Sequence, residues 1–177
     1  KTLNGNFIES VSMVDEADRH TVCISSQSGC NLGCDFCATA KMGLLQNLST
    51  GEILDQLIII RRLSGLAINN VVYMGMGEPF LNYDNVIKSA NILNNKKGFN
   101  ISAQKITIST VGIVPKIKRF IEEKNKFGLA ISLNASNDLT RNNIMPINKK
   151  WPIADLINMN KMYVKNNKRE RITFEYV

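Results

Sequence analysis

Histidine and tryptophan are scarce in this sequence, at one each, His20 and Trp151. A single imidazole excludes a histidine-rich metal centre and a conventional Ser-His-Asp triad within the segment. His20 is expected at a solvated or edge position, and Trp151, before Pro152, as a packing residue at a helix start. With only 4 prolines in 177 residues and no break in composition, one substantial core is the default. No apolar run approaches the roughly 20 residues that span a bilayer. The longest, Leu57 to Ile60, stops at Arg61 and Arg62. The N-terminus lacks a basic stretch followed by an apolar one and a small-residue cleavage site. A reducing, cytoplasmic setting without membrane attachment is therefore expected.

The charge is uneven. Residues 1–100 hold 8 Lys/Arg and 9 Asp/Glu, whereas residues 101–177 hold 14 Lys/Arg and 6 Asp/Glu, which places the formal +7 in the second half. Its positive residues include Lys116, Lys118, Arg119, Lys149, Lys150, Lys165, Lys168, Arg169 and Arg171. A polyanion such as RNA would gain by releasing counterions to them, and a lysine-rich solvated face explains them equally well.

Apolar periodicity predicts strands alternating with helices. Phe7 to Val14 reads as one arm of a small N-terminal hairpin, with Asn4-Gly5 as the turn signal. Thr21 to Ile24 is a short strand leading into a cysteine loop. Ser49, Thr50 and Glu52 cap a helix that runs to about Leu63. Strands are then expected at Val71–Met74, Lys105–Ser109, Leu129–Leu133 and Arg171–Val177. Helices fall at Tyr83–Leu93, from Pro115 through Ile121, and at Ile153–Val164. This alternation specifies an α/β fold with a parallel sheet, open or closed into a barrel, and its polar turns follow the C-terminal strand ends where such folds place their sites. Residues 1–18 read as a hairpin and lead-in, and residues 19–177 as a core that stops inside its fifth strand, so the fold is expected to continue.

Cys30-Asn31-Leu32-Gly33-Cys34-Asp35-Phe36-Cys37 places three thiols on one loop with C-x3-C-x2-C spacing. Three thiolates on a [4Fe-4S] cubane leave one iron open to a small chelator, and the amino and carboxylate groups of S-adenosylmethionine supply such a chelate. With Cys23 as a fourth ligand the set reads alternatively as structural zinc. Gly75-Met76-Gly77-Glu78-Pro79 follows a buried strand and places Glu78 where an ammonium group could pair with it; no Gly-Lys-Ser/Thr follows, so it is not a phosphate loop. Ser109 and Ser132-Leu133-Asn134 end the next two strands, as helix caps or as further ligand contacts.

Taken together, these segments resemble the radical S-adenosylmethionine RNA adenine methyltransferases, the RlmN/Cfr family. "CISSQSGCNLGCDFCATA", "GLLQNLSTGEI", "MGMGEP", "ITISTVGIVP", "SLNASND", "PINKKWPI" and "ITFEYV" stand in the family's order over essentially all 177 residues. The resemblance implies a partial (β/α)6 barrel, here incomplete at its C-terminus and preceded by the small hairpin. It implies 2-methyladenosine formation in 23S ribosomal RNA and at adenosine 37 of transfer RNA, with an external electron donor such as flavodoxin.

By the same resemblance Cys30, Cys34 and Cys37 hold the cluster, and Gly77, Glu78, Ser109, Ser132, Leu133 and Asn134 contact S-adenosylmethionine. Asn134 stands where the family usually has His; it cannot titrate near neutrality, which removes any proton transfer there. Glu9 matches a family acid-base glutamate, with one extra residue between it and Cys23. Cys23 matches the cysteine that resolves a methylene-bridged adduct through a transient disulfide, and is expected to ionise readily near the positive cofactor. The methyl-carrying cysteine has no counterpart in the segment, so the segment alone is expected to be inactive toward RNA. Gly77-Glu78-Pro79 favours the RlmN branch over 8-methyladenosine-forming Cfr. A non-enzymatic metal-stabilised RNA-binding module and a radical enzyme for a small metabolite are the alternatives.

Overall fold

The computed structural model describes residues 1–166 and 172–176. Lys168, Arg169, Arg171 and Val177, which figure in the sequence reading, lie outside the described residues. The chain begins with a hairpin of β1 (Val11–Val14) and β2 (His20–Cys23), then a second of β3 (Gln27–Cys30) and β4 (Gly43–Asn47). There follow α1 (Thr50–Ser64), β5 (Asn70–Tyr73), α2 (Tyr83–Asn94), β6 (Ile106–Thr110), α3 (Val114–Glu122) and β7 (Gly128–Ser132). Helices α4 (Asp138–Ile144) and α5 (Ile153–Asn166) precede β8 (Ile172–Glu175).

The main sheet has the order β1-β2-β5-β6-β7-β8, antiparallel at β1–β2 and parallel thereafter. Each new parallel strand is laid beside its predecessor and the order never reverses. A doubly wound sheet contains such a reversal; the wall of a (β/α) barrel does not. The choice left open by periodicity thus falls on the barrel type.

Strand alternation divides the sheet into two faces. Val22, Val71, Tyr73, Ile106, Ile108, Leu129 and Ile131 are buried in the apolar core, which includes Ile53 and Leu57 of α1, Val86, Ala90 and Leu93 of α2, and Ile117, Phe120 and Ile121 of α3. Removing each such large side chain from water is worth about 1.5–3 kcal/mol. The opposite face carries Cys23, Ser109, Ser132 and Glu175, and the polar face is where a ligand can enter.

Local chemistry sets the element ends. In α1, Ser49 accepts the Glu52 amide while Glu52 accepts the Ser49 amide, a closed capping box, and Gly65 ends the helix at φ 68°. Pro115 lies in the first turn of α3, as its spacing predicts. Trp151 packs against the core at the start of α5, with Lys150 Nζ 4.7 Å above its ring.

Two expectations are corrected. The hairpin turns at Asp15–Arg19, where Asp15 Oδ1 accepts the Ala17 and Arg19 amides, and not at Asn4-Gly5, which closes back on Thr2. Residues 7–10 form no ladder, because the Phe7 and Glu9 carbonyls accept the Ser28 and Ser25 hydroxyls instead. His20 is neither solvated nor at an edge: β1 covers β2, leaving His20 1% exposed with Nε2 2.8 Å from Ser12 Oγ.

Candidate active site

The cysteine loop is the connection of the β3–β4 hairpin. At its base Gly29 has φ +74°, and a Cβ there would lie 1.9 Å from the Gly43 carbonyl oxygen, so only glycine permits this crossing. Further along, the Asp35 amide donates to the Ile144 carbonyl at 2.9 Å, which docks the loop on the end of α4. Cys37 caps the short helical turn Ala38–Met42. The result is one cavity of about 200 Å³ with Cys30, Cys34 and Cys37 in its wall.

Burial pushes the Cys30 and Cys34 thiols up, Cys34 to about 11, and the neighbouring cysteines and Glu78 add to both shifts. Such a set ionises when a positive centre arrives. Soft thiolates with an open neighbouring space fit an iron-sulfur cluster with one iron left for a ligand. Among the described residues no three His, Cys, Asp or Glu side chains converge on a single-ion site. The case for a cluster rests on the shared wall and the donor chemistry.

The turn after β5 forms the next part of the wall. Gly77 has φ +92°, and a Cβ there would meet the Gln27 side chain at 2.4 Å. That close approach lets Gln27 Oε1 accept the Glu78 amide at 2.8 Å. Glu78, 2% exposed, accepts the Phe80 amide on Oε1 and the Val111 amide on Oε2, both at 2.9 Å. Burial raises its carboxyl to about 7, against these hydrogen bonds and with a further push from Glu175.

Ser109 and Ser132 also line the cavity. Both hydroxyls donate to Glu175 Oε2, at 3.0 and 2.6 Å. Leu133 and Asn134 lie outside the cavity wall. Their amides donate to the Glu175 carbonyl, and Asn134, at φ 57°, turns its Nδ2 to the Met145 sulfur at 3.5 Å. Asn134 Oδ1 is buried without a partner among the described residues.

Glu9 and Cys23 stand apart from Cys30, Cys34 and Cys37. Glu9 is exposed and lines a neighbouring hollow of about 180 Å³ with Phe7, Ala38, Met42 and Met76, sharing only Thr39 with the main cavity. Cys23 ends β2 and does not line the cavity. Burial pushes its thiol up, the Met74 amide pulls it back and the Glu175 charge raises it further. Without a neighbouring positive charge, these effects disfavour the thiolate. All four cysteines are free thiols.

Two residues escaped the sequence reading. Glu175 ends the strand Ile172–Glu175 on the same face as Thr173, and an acid at that strand end was its signal. Arg141 has none, because an arginine in a short polar helix is ordinary. It is 0% exposed and donates to the carbonyls of Val111, Ser132 and Leu133 and to Asn148 Oδ1, at 2.6–2.9 Å. One guanidinium thus joins the ends of β6 and β7 to the turn that supports the cysteine loop.

The chain is similar to several known proteins. The probable dual-specificity RNA methyltransferase RlmN of Dictyoglomus thermophilum is 51% identical over 177 residues, covering 98% of this chain and 50% of that protein. The corresponding protein of Chloroflexus aurantiacus is 46% identical, over 98% of this chain and 48% of its own length. A crystal structure of a radical SAM methyltransferase from Sphaerobacter thermophilus superposes with a TM-score of 0.93 at 44% identity, covering 99% of this chain and 52% of that one. The chain spans about half the length of the curated relatives it matches. Residues 24–177 match the radical SAM superfamily, and the chain belongs to that superfamily.

Proposed function

We propose that this chain is the cluster-binding and cofactor-binding core of an RlmN-type methyltransferase that converts adenosine to 2-methyladenosine in 23S ribosomal RNA and at adenosine 37 of transfer RNA. The observation that carries the reading is the single cavity in which Cys30, Cys34 and Cys37 meet Glu78, Ser109 and Ser132. The relatives named RlmN supply the substrate class, and the basic second half of the chain suits it.

In this reading Cys30, Cys34 and Cys37 ligate a [4Fe-4S] cluster. Glu78 pairs with the ammonium group of S-adenosylmethionine, next to the close backbone approach that Gly77 permits. Ser109 and Ser132, with Leu133 and Asn134 behind them, shape the rest of the cofactor site. When bound, the cluster and cofactor supply one-electron cleavage of the sulfonium and hydrogen abstraction from carbon. An external donor such as flavodoxin provides the electron in the cytoplasm. Residues 1–18 act as a lead-in to the core of residues 19–177. Glu9, in the adjoining hollow, serves as the acid-base group, and Cys23 resolves the adduct through a transient disulfide. With three of the four cysteines on the cluster, the methyl-carrying cysteine must come from outside these 177 residues, so the segment alone is inactive toward RNA.

Anaerobic reconstitution tests the core of this reading. The chain is expected to take up about four irons and four sulfides, and Cys30→Ala, Cys34→Ala or Cys37→Ala to abolish this uptake. Stoichiometric zinc without iron under those conditions would refute it. Mass analysis of adenosines in RNA treated with a protein that contains this segment and the methyl-carrying cysteine then separates the products. 2-Methyladenosine is expected; 8-methyladenosine would assign the Cfr reaction instead.

A further inference from the structure

Glu175 ends β8 in register with Ser132 of β7. Its Oε2 is held by two hydroxyls, from Ser109 and Ser132, while Oε1 is buried and meets no donor among the described residues. A buried carboxylate oxygen left without a donor is costly, so the arrangement calls for a positive or donating group. None of the described residues provides one. Among the described residues, the wall of the cavity that Glu175 lines contains no Lys, Arg or His; its other ionisable members are Cys30, Cys34, Cys37, Tyr73 and Glu78. The nearby buried cation, Arg141, is committed to three carbonyls and Asn148.

The placement of the two carboxylates is specific. Glu78 accepts the Val111 amide and Glu175 accepts the Ser109 hydroxyl, so both flank the end of β6. They are close enough for the charge of Glu175 to raise the carboxyl of Glu78. A ligand with two positive centres a few atoms apart relieves both groups at once. S-Adenosylmethionine is such a molecule, with its ammonium separated from its sulfonium by a short carbon chain.

The geometry points to Glu175 as the carboxylate that faces the positive sulfur of S-adenosylmethionine, a second anionic contact beside Glu78. The inference rests on the cofactor-binding reading above. Ser109 and Ser132 then act as the hydroxyls that hold Glu175 in position, in addition to shaping the site. The contact is electrostatic, and it distinguishes the charged cofactor from its neutral demethylated counterpart.

Calorimetry on cluster-loaded protein tests this with S-adenosylmethionine and S-adenosylhomocysteine, which differ by one methyl group and the sulfur's charge. Wild-type protein should prefer the charged ligand. Glu175→Gln keeps the size and an acceptor oxygen for the serine hydroxyls, and should weaken S-adenosylmethionine binding by about tenfold or more, the scale of a charge-assisted contact. Its affinity for S-adenosylhomocysteine should change far less, because the neutral sulfur offers the carboxylate no charge to face. Equal weakening of both ligands would mean a contact to the ribose or adenine and would overturn the inference, as would no change in either. Should the variant fail to fold, wild-type protein decides: equal affinity for the two ligands overturns the inference. Loss of all binding by cluster-loaded wild-type protein would instead remove the cofactor-binding reading, and this inference with it.

Discussion

Glu78 Oε2 accepts the Val111 amide at 2.9 Å, so a side chain from the turn after β5 holds the turn after β6. The carboxylate therefore has a structural duty as well as a proposed ligand contact, and substitutions separate the two. Glu78→Ala leaves the Phe80 and Val111 amides without an acceptor and should cost about 1–3 kcal/mol for each group that water does not reach. Glu78→Gln restores an acceptor oxygen and should recover part of that stability, read as a denaturation midpoint. It should not recover S-adenosylmethionine affinity, while iron content stays near normal in both variants. Full affinity in the Gln variant would rule out pairing with the ammonium group.

The same residue sets a pH dependence. Burial raises its carboxyl from 4.5 to about 7 in the folded protein, so the folded state holds the proton more tightly than the unfolded chain. The stability this confers is complete below about 4.5 and is lost as pH rises through about 7. Cofactor affinity should run the opposite way, rising over the same window as the carboxylate forms. Denaturation midpoints from pH about 4.5 to 8, compared with Glu78→Gln, should show the stability slope only in the wild-type protein. Identical slopes would assign it to another group.

Arg141→Met should destabilise the fold by about 3–5 kcal/mol, because it strips donors from three part-buried carbonyls and from the buried Asn148. Arg141→Lys should rescue little of this, since a single ammonium cannot reach the same set of acceptors in their planar arrangement. Chemical denaturation measures both. A Lys variant as stable as wild type would show that charge alone suffices.

Cys23→Ala, placed in a protein that also carries the methyl-transferring cysteine, should leave cluster assembly intact because Cys23 does not line the cavity of Cys30, Cys34 and Cys37. Turnover should then stall with protein covalently attached to RNA. A denaturing gel should show a slow, nuclease-sensitive band, and normal multiple turnover without that band would exclude the resolving role.

The apolar periods of Val71–Met74, Lys105–Ser109 and Leu129–Leu133, and the capping signals at Ser49 and Pro115, by themselves determine the order and nature of the βα units. They do so because burying one face of a strand or helix imposes a repeat that a linear string displays. That Cys30, Cys34 and Cys37 share one loop was legible for a similar reason: they are neighbours in the chain. The β3–β4 hairpin was not, since Gln27-Ser28-Gly29-Cys30 has no apolar alternation and is stabilised by contacts to the Met76 carbonyl and to Gln46 and Asn47 of β4. Nor was the burial of His20, which depends on β1 folding over it. Only the tertiary structure brought Glu175 to Ser109 and Ser132, 66 and 43 residues away in sequence, and seated Arg141 among carbonyls of two strand ends. Such polar groups acquire meaning from partners distant in sequence. A carboxylate with one satisfied and one unsatisfied oxygen is a property of the folded site, and no local pattern encodes it.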